Sequence, residues 1–410
     1  MQKIQRNPVS MNAGVLLYYV SIWLYFICGS LSNSMIGQIE IVNRLIQAGT
    51  YACILGLVFR IIIMKKINRR NFFIFIVSIM AALVMYYYSR STIPLIVFLS
   101  LIGAERTDSK LIGKIYFCST GLIVIMSTIL SLLGVIEDRI FVMGISRNMR
   151  HSFGMTYVTI WAAYMFFMCA VMIYKRRSNL KWVDYVICAF VSYVSYVYCR
   201  ARLESIMLIA MLVLLTLYNK IKDNKIYKTL TVYSFAISGL IAYGLQIGYT
   251  KFPDKFAVVD YLLSWRLRQT ANVLSQYGFR MFGQVIRMQG NGTVNFDTSI
   301  GYFFVDSFYI NYALKFGIFF IAILFVIITL VFKKLYDEGY SRELIFLSAA
   351  CYHGVIISSI ILPYMNPLFL MAYSDYTRKK VDNPYEVNSP EKQHRRKYFK
   401  ISFGKSRYRR

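Results

Sequence analysis

Residues Ala13 to Ser32 read AGVLLYYVSIWLYFICGSLS, twenty positions without a charged side chain. As a helix this stretch rises about 30 Å, the thickness of a bilayer's hydrocarbon core. It is too long for the apolar segment of a signal peptide, and no convincing small-x-small cleavage site follows it. It is therefore expected to be a retained span.

Comparable runs recur along the chain and predict spans over about 12–33, 45–64, 72–88, 92–104, 115–136, 153–174, 183–198, 203–218, 229–248, 306–332, 344–362 and 366–376. A closed barrel is the other way to satisfy backbone groups in lipid, but its strands alternate polar and apolar residues, and these runs do not. Of the 410 residues 57% are hydrophobic and 16% charged, with a mean hydropathy of +0.50. A soluble chain carries about a quarter charged residues. The expected fold class is all-α, a polytopic integral membrane helix bundle of about 12 transmembrane helices. Residues 1–376 form one transmembrane domain, with a long external loop over about 249–305, and 377–410 form a basic, disordered cytoplasmic tail. The fourth and last runs are short; Asn366-Pro367 is a good N-cap and first-position pair to start the last helix.

The basic residues set the orientation. Placing both termini in the cytoplasm puts Lys65-Lys66-Ile67-Asn68-Arg69-Arg70, Lys175-Arg176-Arg177, Lys220 to Lys228, Lys333-Lys334 and the tail, with its twelve Lys and Arg, on one side. Most of the 47 Lys and Arg then lie inside, as the positive-inside rule requires. The net charge of +28 thus needs no nucleic-acid partner; membrane lipids are the partner for the tail. The seven cysteines show no CxxC pair and read as small hydrophobes within spans. Three histidines without clustered carboxylates give no metal site, and no glycine-rich phosphate loop follows a strand, so no cofactor is expected.

On the external side arginine replaces lysine almost throughout: Arg44, Arg90, Arg139, Arg147, Arg150, Arg200, Arg202, Arg266, Arg268, Arg280 and Arg287, against Lys251 and Lys255. The guanidinium fork suits bidentate recognition of phosphate or carboxylate, so an anionic group is expected at this face; lipid headgroups are the bland alternative. Three places concentrate the signal. His151 sits beside Arg150 and near Arg147, and its imidazole is a candidate proton acceptor. Arg200 and Arg202 share a very short turn, with pairing of Arg200 to Glu204 four residues on as the structural alternative. In the long loop, Asp260 to Ile286 reads as an amphipathic helix, with Gly278 as a candidate break. Leu263, Leu267, Leu274, Tyr277 and Met281 lie on one side of it and Arg268, Asn272, Ser275 and Gln276 on the other. Asp306 opens the tenth span, within which Lys315 is expected to face a water-filled cavity.

With these pieces in order, the chain resembles the Wzy-type polysaccharide polymerases of the O-antigen polymerase and ligase superfamily, and looks closest to their Gram-positive capsule and exopolysaccharide branch. The resemblance is carried by RNMRHSFG (Arg147 to Gly154), CRARLES (Cys199 to Ser205), Trp265-Arg266-Leu267, YGFRMFGQ (Tyr277 to Gln284), Val305-Asp306-Ser307-Phe308-Tyr309 and Lys315-Phe316-Gly317. The chain departs from the family pattern where Met155-Thr156-Tyr157-Val158 stands in place of His-Pro-Asn, and where Cys199 stands in place of the usual serine.

The resemblance implies a membrane glycosyltransferase of the bacterial cytoplasmic membrane. It would transfer a growing glycan from an undecaprenyl-diphosphate carrier to a new undecaprenyl-diphosphate-linked oligosaccharide at the outer face, without a nucleotide sugar. Arg147, Arg150, Arg200, Arg202, Arg266, Arg268 and Arg280 would bind the diphosphate, and His151 or Asp306 would activate the acceptor hydroxyl. A flippase and a chain-length regulator are the protein partners such an enzyme implies. An O-antigen-type ligase and a lipid-linked oligosaccharide flippase are the rival readings. A flippase should show internal repeat symmetry and charged cavities within spans, whereas no repeat is seen and the only Lys or Arg within the spans are Arg60 and Lys315.

Overall fold

The computed structural model of the chain describes residues 12–64, 69–143, 148–176, 180–299 and 301–378. Seventeen helices dominate the described residues. The first six are α1 (Ala13–Ser32), α2 (Glu40–Ile63), α3 (Arg69–Ser89), α4 (Ile93–Gly103), α5 (Ser109–Tyr116) and α6 (Leu122–Leu132). A hairpin of β1 (Phe141–Met143) and β2 (Asn148–Arg150) follows. Next come α7 (Val158–Arg176), α8 (Trp182–Val197), α9 (Arg202–Ile221), α10 (Lys225–Val232) and α11 (Ser234–Lys251). The loop helices α12 (Ala257–Leu262) and α13 (Arg266–Gln276) precede α14 (Phe308–Phe316), α15 (Ile318–Asp337), α16 (Leu344–His353) and α17 (Leu368–Thr377).

Six segments are long and apolar enough to cross a membrane: α1, α2, the continuous α5–α6 stretch, α7, α9 and α15. The α10–α11 pair makes a seventh if its 73° bend lies within one span. Part of α3, together with α4, α8 and α16, is apolar but shorter. The outward faces carry exposed Leu55, Phe59, Ile62, Phe190, Ile206 and Leu240. Apolar surface on this scale marks a protein that meets lipid, so the chain is compatible with a multi-pass membrane protein. Helices in lipid associate through close packing and hydrogen bonds, not through the hydrophobic effect. The α1–α2 pair packs this way, with Gly56 where a Cβ would collide with Ser21.

Three expected continuous helices are broken. The run 306–332 splits at Gly317, whose φ of 96° is left-handed and whose missing Cβ admits the Met281 carbonyl. Lys315 therefore lies at the end of the short α14, with its ammonium over the Phe304 ring at 5.9 Å. In the run 344–362 the helix ends at His353, and residues 354–366 turn irregularly inside the bundle. Irregular backbone persists at such depth only where protein satisfies it. Here Tyr116 donates to Met365 O (2.8 Å), and Asn366 donates to Ile360 O (2.8 Å) while accepting from Leu368 N (3.1 Å). Asn366 thus satisfies the first N–H of α17, whose N-cap position is Pro367, one residue later than the sequence suggested.

The expected helix over Asp260 to Ile286 is the third break. Ser264 and Trp265 have φ values of 58° and 65°, so the chain turns there, and Asp260 Oδ1 accepts from Leu267 N (2.9 Å) at the start of α13. Residues 277–286 are not helical: Gly283 lies where a Cβ would meet Lys315 O at the end of α14, and Ile318 N donates to Arg280 O (3.1 Å) and Phe319 N to Met281 O (3.2 Å). On α13 the expected faces hold, with Leu267 buried and Arg268, Asn272, Ser275 and Gln276 exposed. Met281 lies beyond the helix and is exposed.

Loop contacts sort to two opposite ends of the bundle. At one end, Thr156 N donates to Asn33 O and Met35 N to Gly154 O (both 2.9 Å), and Tyr88 stacks near Phe282. At the other, Arg60 donates to Gly103 O (3.3 Å) and Glu105 O (3.0 Å), placing its charge on the carbonyl end of α4, and Tyr336 donates to Lys222 O (3.1 Å). Six cysteines are buried and Cys118 is exposed; all seven are free thiols. The proposed tail lies outside the described residues, apart from Thr377, the last residue of α17, and Arg378.

Candidate functional site

The first end carries the polar cluster. Asp138 organises it from the segment before β1. Its Oδ1 accepts from Ser152 N (3.0 Å), Ser152 Oγ (3.2 Å) and Phe153 N (2.9 Å), and its Oδ2 lies 2.6 Å from His151 Nδ1. A carboxylate only accepts, so Nδ1 carries the hydrogen, and a neutral ring then has its lone pair on Nε2. The imidazole lies between Phe153 (centroids 5.9 Å) and Tyr198 (6.4 Å) with its side chain 31% exposed, open to a reactant.

The hairpin docks on the α8–α9 turn. His151 N donates to Tyr198 O (3.0 Å) and Arg150 Nε to Cys199 O (3.0 Å). Arg150 is buried and so is held by the turn, whereas Arg200 and Arg202 are exposed and project from it. Arg200 has a φ of 52°, the left-handed conformation that lets two antiparallel helices join in so few residues. The expected alternative, pairing of Arg200 with Glu204, is not formed. Glu204 is buried and faces inward, with its Oε1 3.9 Å from His353 Nε2. Arg266 and Arg150 act on it electrostatically, so they are the cations nearest in effect to this carboxylate.

Arg266 joins the cluster from the long loop. Its Nη1 donates to Ile356 O (2.8 Å) in the irregular segment after α16, and its Nε lies 3.6 Å from Asp306 Oδ2. Tyr302 donates to the same Asp306 oxygen (3.2 Å). Burial pushes the Asp306 carboxyl above its ordinary value; Arg266, and less strongly the Tyr302 hydrogen bond, pull it back. A narrow cavity of about 20 Å³ separates Arg266 and Asp306 from α11.

Of the residues picked from sequence, His151, Arg150, Arg200, Arg202, Arg266 and Asp306 thus gather at one end. Arg147 lies outside the described residues. Arg268 turns away, stacked over Trp265 at 4.9 Å. Arg280 stands at the far end of α14 from Asp306, in a separate cleft with Tyr88 and Gln284. Sequence reasoning missed Asp138, His353 and Tyr302, and read Glu204 as a partner of Arg200 when it faces His353 instead. Asp138 gave no signal because its partner is thirteen residues away across a hairpin. His353 lies inside an apolar run, where a fully buried ionisable side chain is itself a functional marker.

Comparison of the chain with protein-family models, curated proteins and solved structures finds no match.

Proposed function

We propose that this chain is a polysaccharide polymerase of the bacterial cytoplasmic membrane, joining undecaprenyl-diphosphate-linked oligosaccharide units at the outer face. The observation that carries the reading is the Asp138–His151 pair docked on the turn that presents Arg200 and Arg202. An oriented base and a free pair of guanidinium groups share one boundary of an apolar bundle, the depth at which a lipid-borne diphosphate sits.

The reaction follows from that arrangement. His151 Nε2 takes the proton of an acceptor hydroxyl as its oxygen attacks the donor's anomeric carbon. The bond from that carbon to the diphosphate oxygen breaks, and the leaving undecaprenyl diphosphate carries the electron pair. Arg200 and Arg202 meet the growing charge, with Arg150 and Arg266 behind them. The proton leaves His151 for the diphosphate. Asp306, held between Arg266 and Tyr302, serves better as an anchor for Arg266 than as the base.

In this reading the site end is external, both termini are cytoplasmic, and the shorter apolar helices complete about twelve crossings. Flippase and chain-length regulator proteins are partners the pathway chemistry calls for, upstream and beside it. Deleting the protein tests the reading. The expected result is surface glycan reduced to single repeat units, with lipid-linked units at the outer face. Units trapped at the inner face would favour a flippase. Full-length polymer left on its lipid carrier would favour a ligase.

A further inference from the structure

The loop segment after α13 builds a second feature that the proposed reaction does not use. Tyr88 at the end of α3, Gln276 at the end of α13, and Tyr277, Phe279, Arg280 and Gln284 surround an open cleft of about 540 Å³. Its volume is that of a small-molecule site. Its shape is built: Gln284 Nε2 donates to Gly278 O (2.6 Å) and Gln284 N to Lys315 O (3.0 Å), tying the loop to the end of α14. Phe279 packs at a tilt against Tyr243 with centroids 5.8 Å apart, and Tyr88 stacks near Phe282 at 6.5 Å, so both rings are held while Phe279 stays 39% and Tyr88 51% exposed.

Flat aromatic faces beside a guanidinium and primary amides form the chemistry that recognises a sugar. The ring C–H face of a pyranose lies on an aromatic, and paired hydroxyls meet planar two-point donors and acceptors. Position adds to this. Asp306 and Arg266 lie by the start of α14, and the cleft by its end. Nine residues of helix separate them, about 14 Å at 1.5 Å per residue. That is the reach of a short oligosaccharide whose diphosphate stays at the arginine cluster.

We infer that this cleft is a saccharide subsite, holding sugars of a lipid-linked oligosaccharide several residues from the diphosphate. The inference rests on the polymerase reading for its substrate class and goes beyond it by naming where sugar specificity resides. Tyr88 and Phe279 supply the stacking faces, and Gln276 and Arg280 the hydroxyl contacts.

The test uses the full-length protein in nanodiscs and, as probe, the lipid-free repeat-unit oligosaccharide released by mild acid from the host's lipid-linked pool. Saturation-transfer titration should show binding. Tyr88→Ala and Phe279→Ala should each weaken it up to about tenfold, the affinity equivalent of one aromatic contact. Gln276→Ala, on an exposed helix end that no packing depends on, provides a variant whose folding is not in question and should also weaken it. No binding by the wild type, or equal affinity in all three variants, overturns the inference. So does displacement of the oligosaccharide by farnesyl diphosphate, which would mark the cleft as a carrier site. If the deletion strain still makes full-length glycan while the probe binds as expected, the polymerase reading falls and the saccharide cleft stands.

Discussion

Asp138 and His151 are joined across the base of the β1–β2 hairpin, Oδ2 to Nδ1 at 2.6 Å, while the other carboxylate oxygen accepts three hydrogen bonds from Ser152 and Phe153. The carboxylate therefore fixes loop and imidazole together, and leaves Nε2 as the open acceptor. This is the logic by which an aspartate orients a histidine base.

Asp138→Asn separates the two roles. The amide oxygen can still accept from Ser152 and Phe153, but the amide nitrogen donates to Nδ1 and forces the hydrogen onto Nε2. Polymerisation at neutral pH should fall by about 10²- to 10⁴-fold, the contribution of a general base. Membrane abundance should stay near wild type. Full activity in Asp138→Asn would remove His151 from the chemistry.

Arg200→Lys and Arg202→Lys keep the charge and lose the fork. Both side chains are exposed, and lysine meets the same backbone demand as arginine at the left-handed position 200. Each replacement should cost roughly 10²-fold in turnover with little change in protein level, as for loss of one preorganised donor. Wild-type rates in both lysine variants would shift the diphosphate contact to Arg266.

Asp306 makes stability depend on pH. Its folded carboxyl sits above the ordinary value of 3.8, with burial as the main cause. The folded state therefore binds the proton more tightly than the unfolded state. The associated stability is fully present below about 3.8 and is lost as pH rises through the folded value. Asp306→Asn should flatten that fall. Its thermal midpoint relative to wild type should rise with pH across this window and show no such trend well below it. A parallel pH dependence in the two proteins would assign the effect elsewhere.

Gly317→Ala should disrupt the α14–α15 break. The residue combines a φ of 96° with the Met281 carbonyl where a Cβ would sit. A cost of at least about 1–3 kcal/mol is expected for the backbone strain alone. The measurement is the thermal midpoint in detergent, and an unchanged midpoint would show that the loop can move off α15.

Apolar run length made the apolar helices legible, because span length is a local property of the chain. The breaks were not legible in the same way. Gly317 sits in a run that is apolar on both sides, and what splits the helix is a carbonyl from residue 281, far away in sequence. The irregular stretch 354–366 reads as apolar as a helix would, and only the Asn366 and Tyr116 contacts show why it need not be one. At the site, Arg150, Arg200, Arg202, Arg266, His151 and Asp306 stood out by residue type. Glu204 was read as a surface partner of Arg200 because helical spacing allows that pairing; the left-handed turn at Arg200 leaves the carboxylate facing inward instead.

The most direct measurement is elongation by the purified protein. Reconstituted in liposomes with lipid-linked repeat units added to the accessible outer face, it should convert them into a ladder of longer lipid-linked chains. One undecaprenyl diphosphate should be released per linkage, and His151→Ala should abolish the ladder. Units that cross the bilayer without being joined, or a ladder of wild-type rate in His151→Ala, would contradict the account.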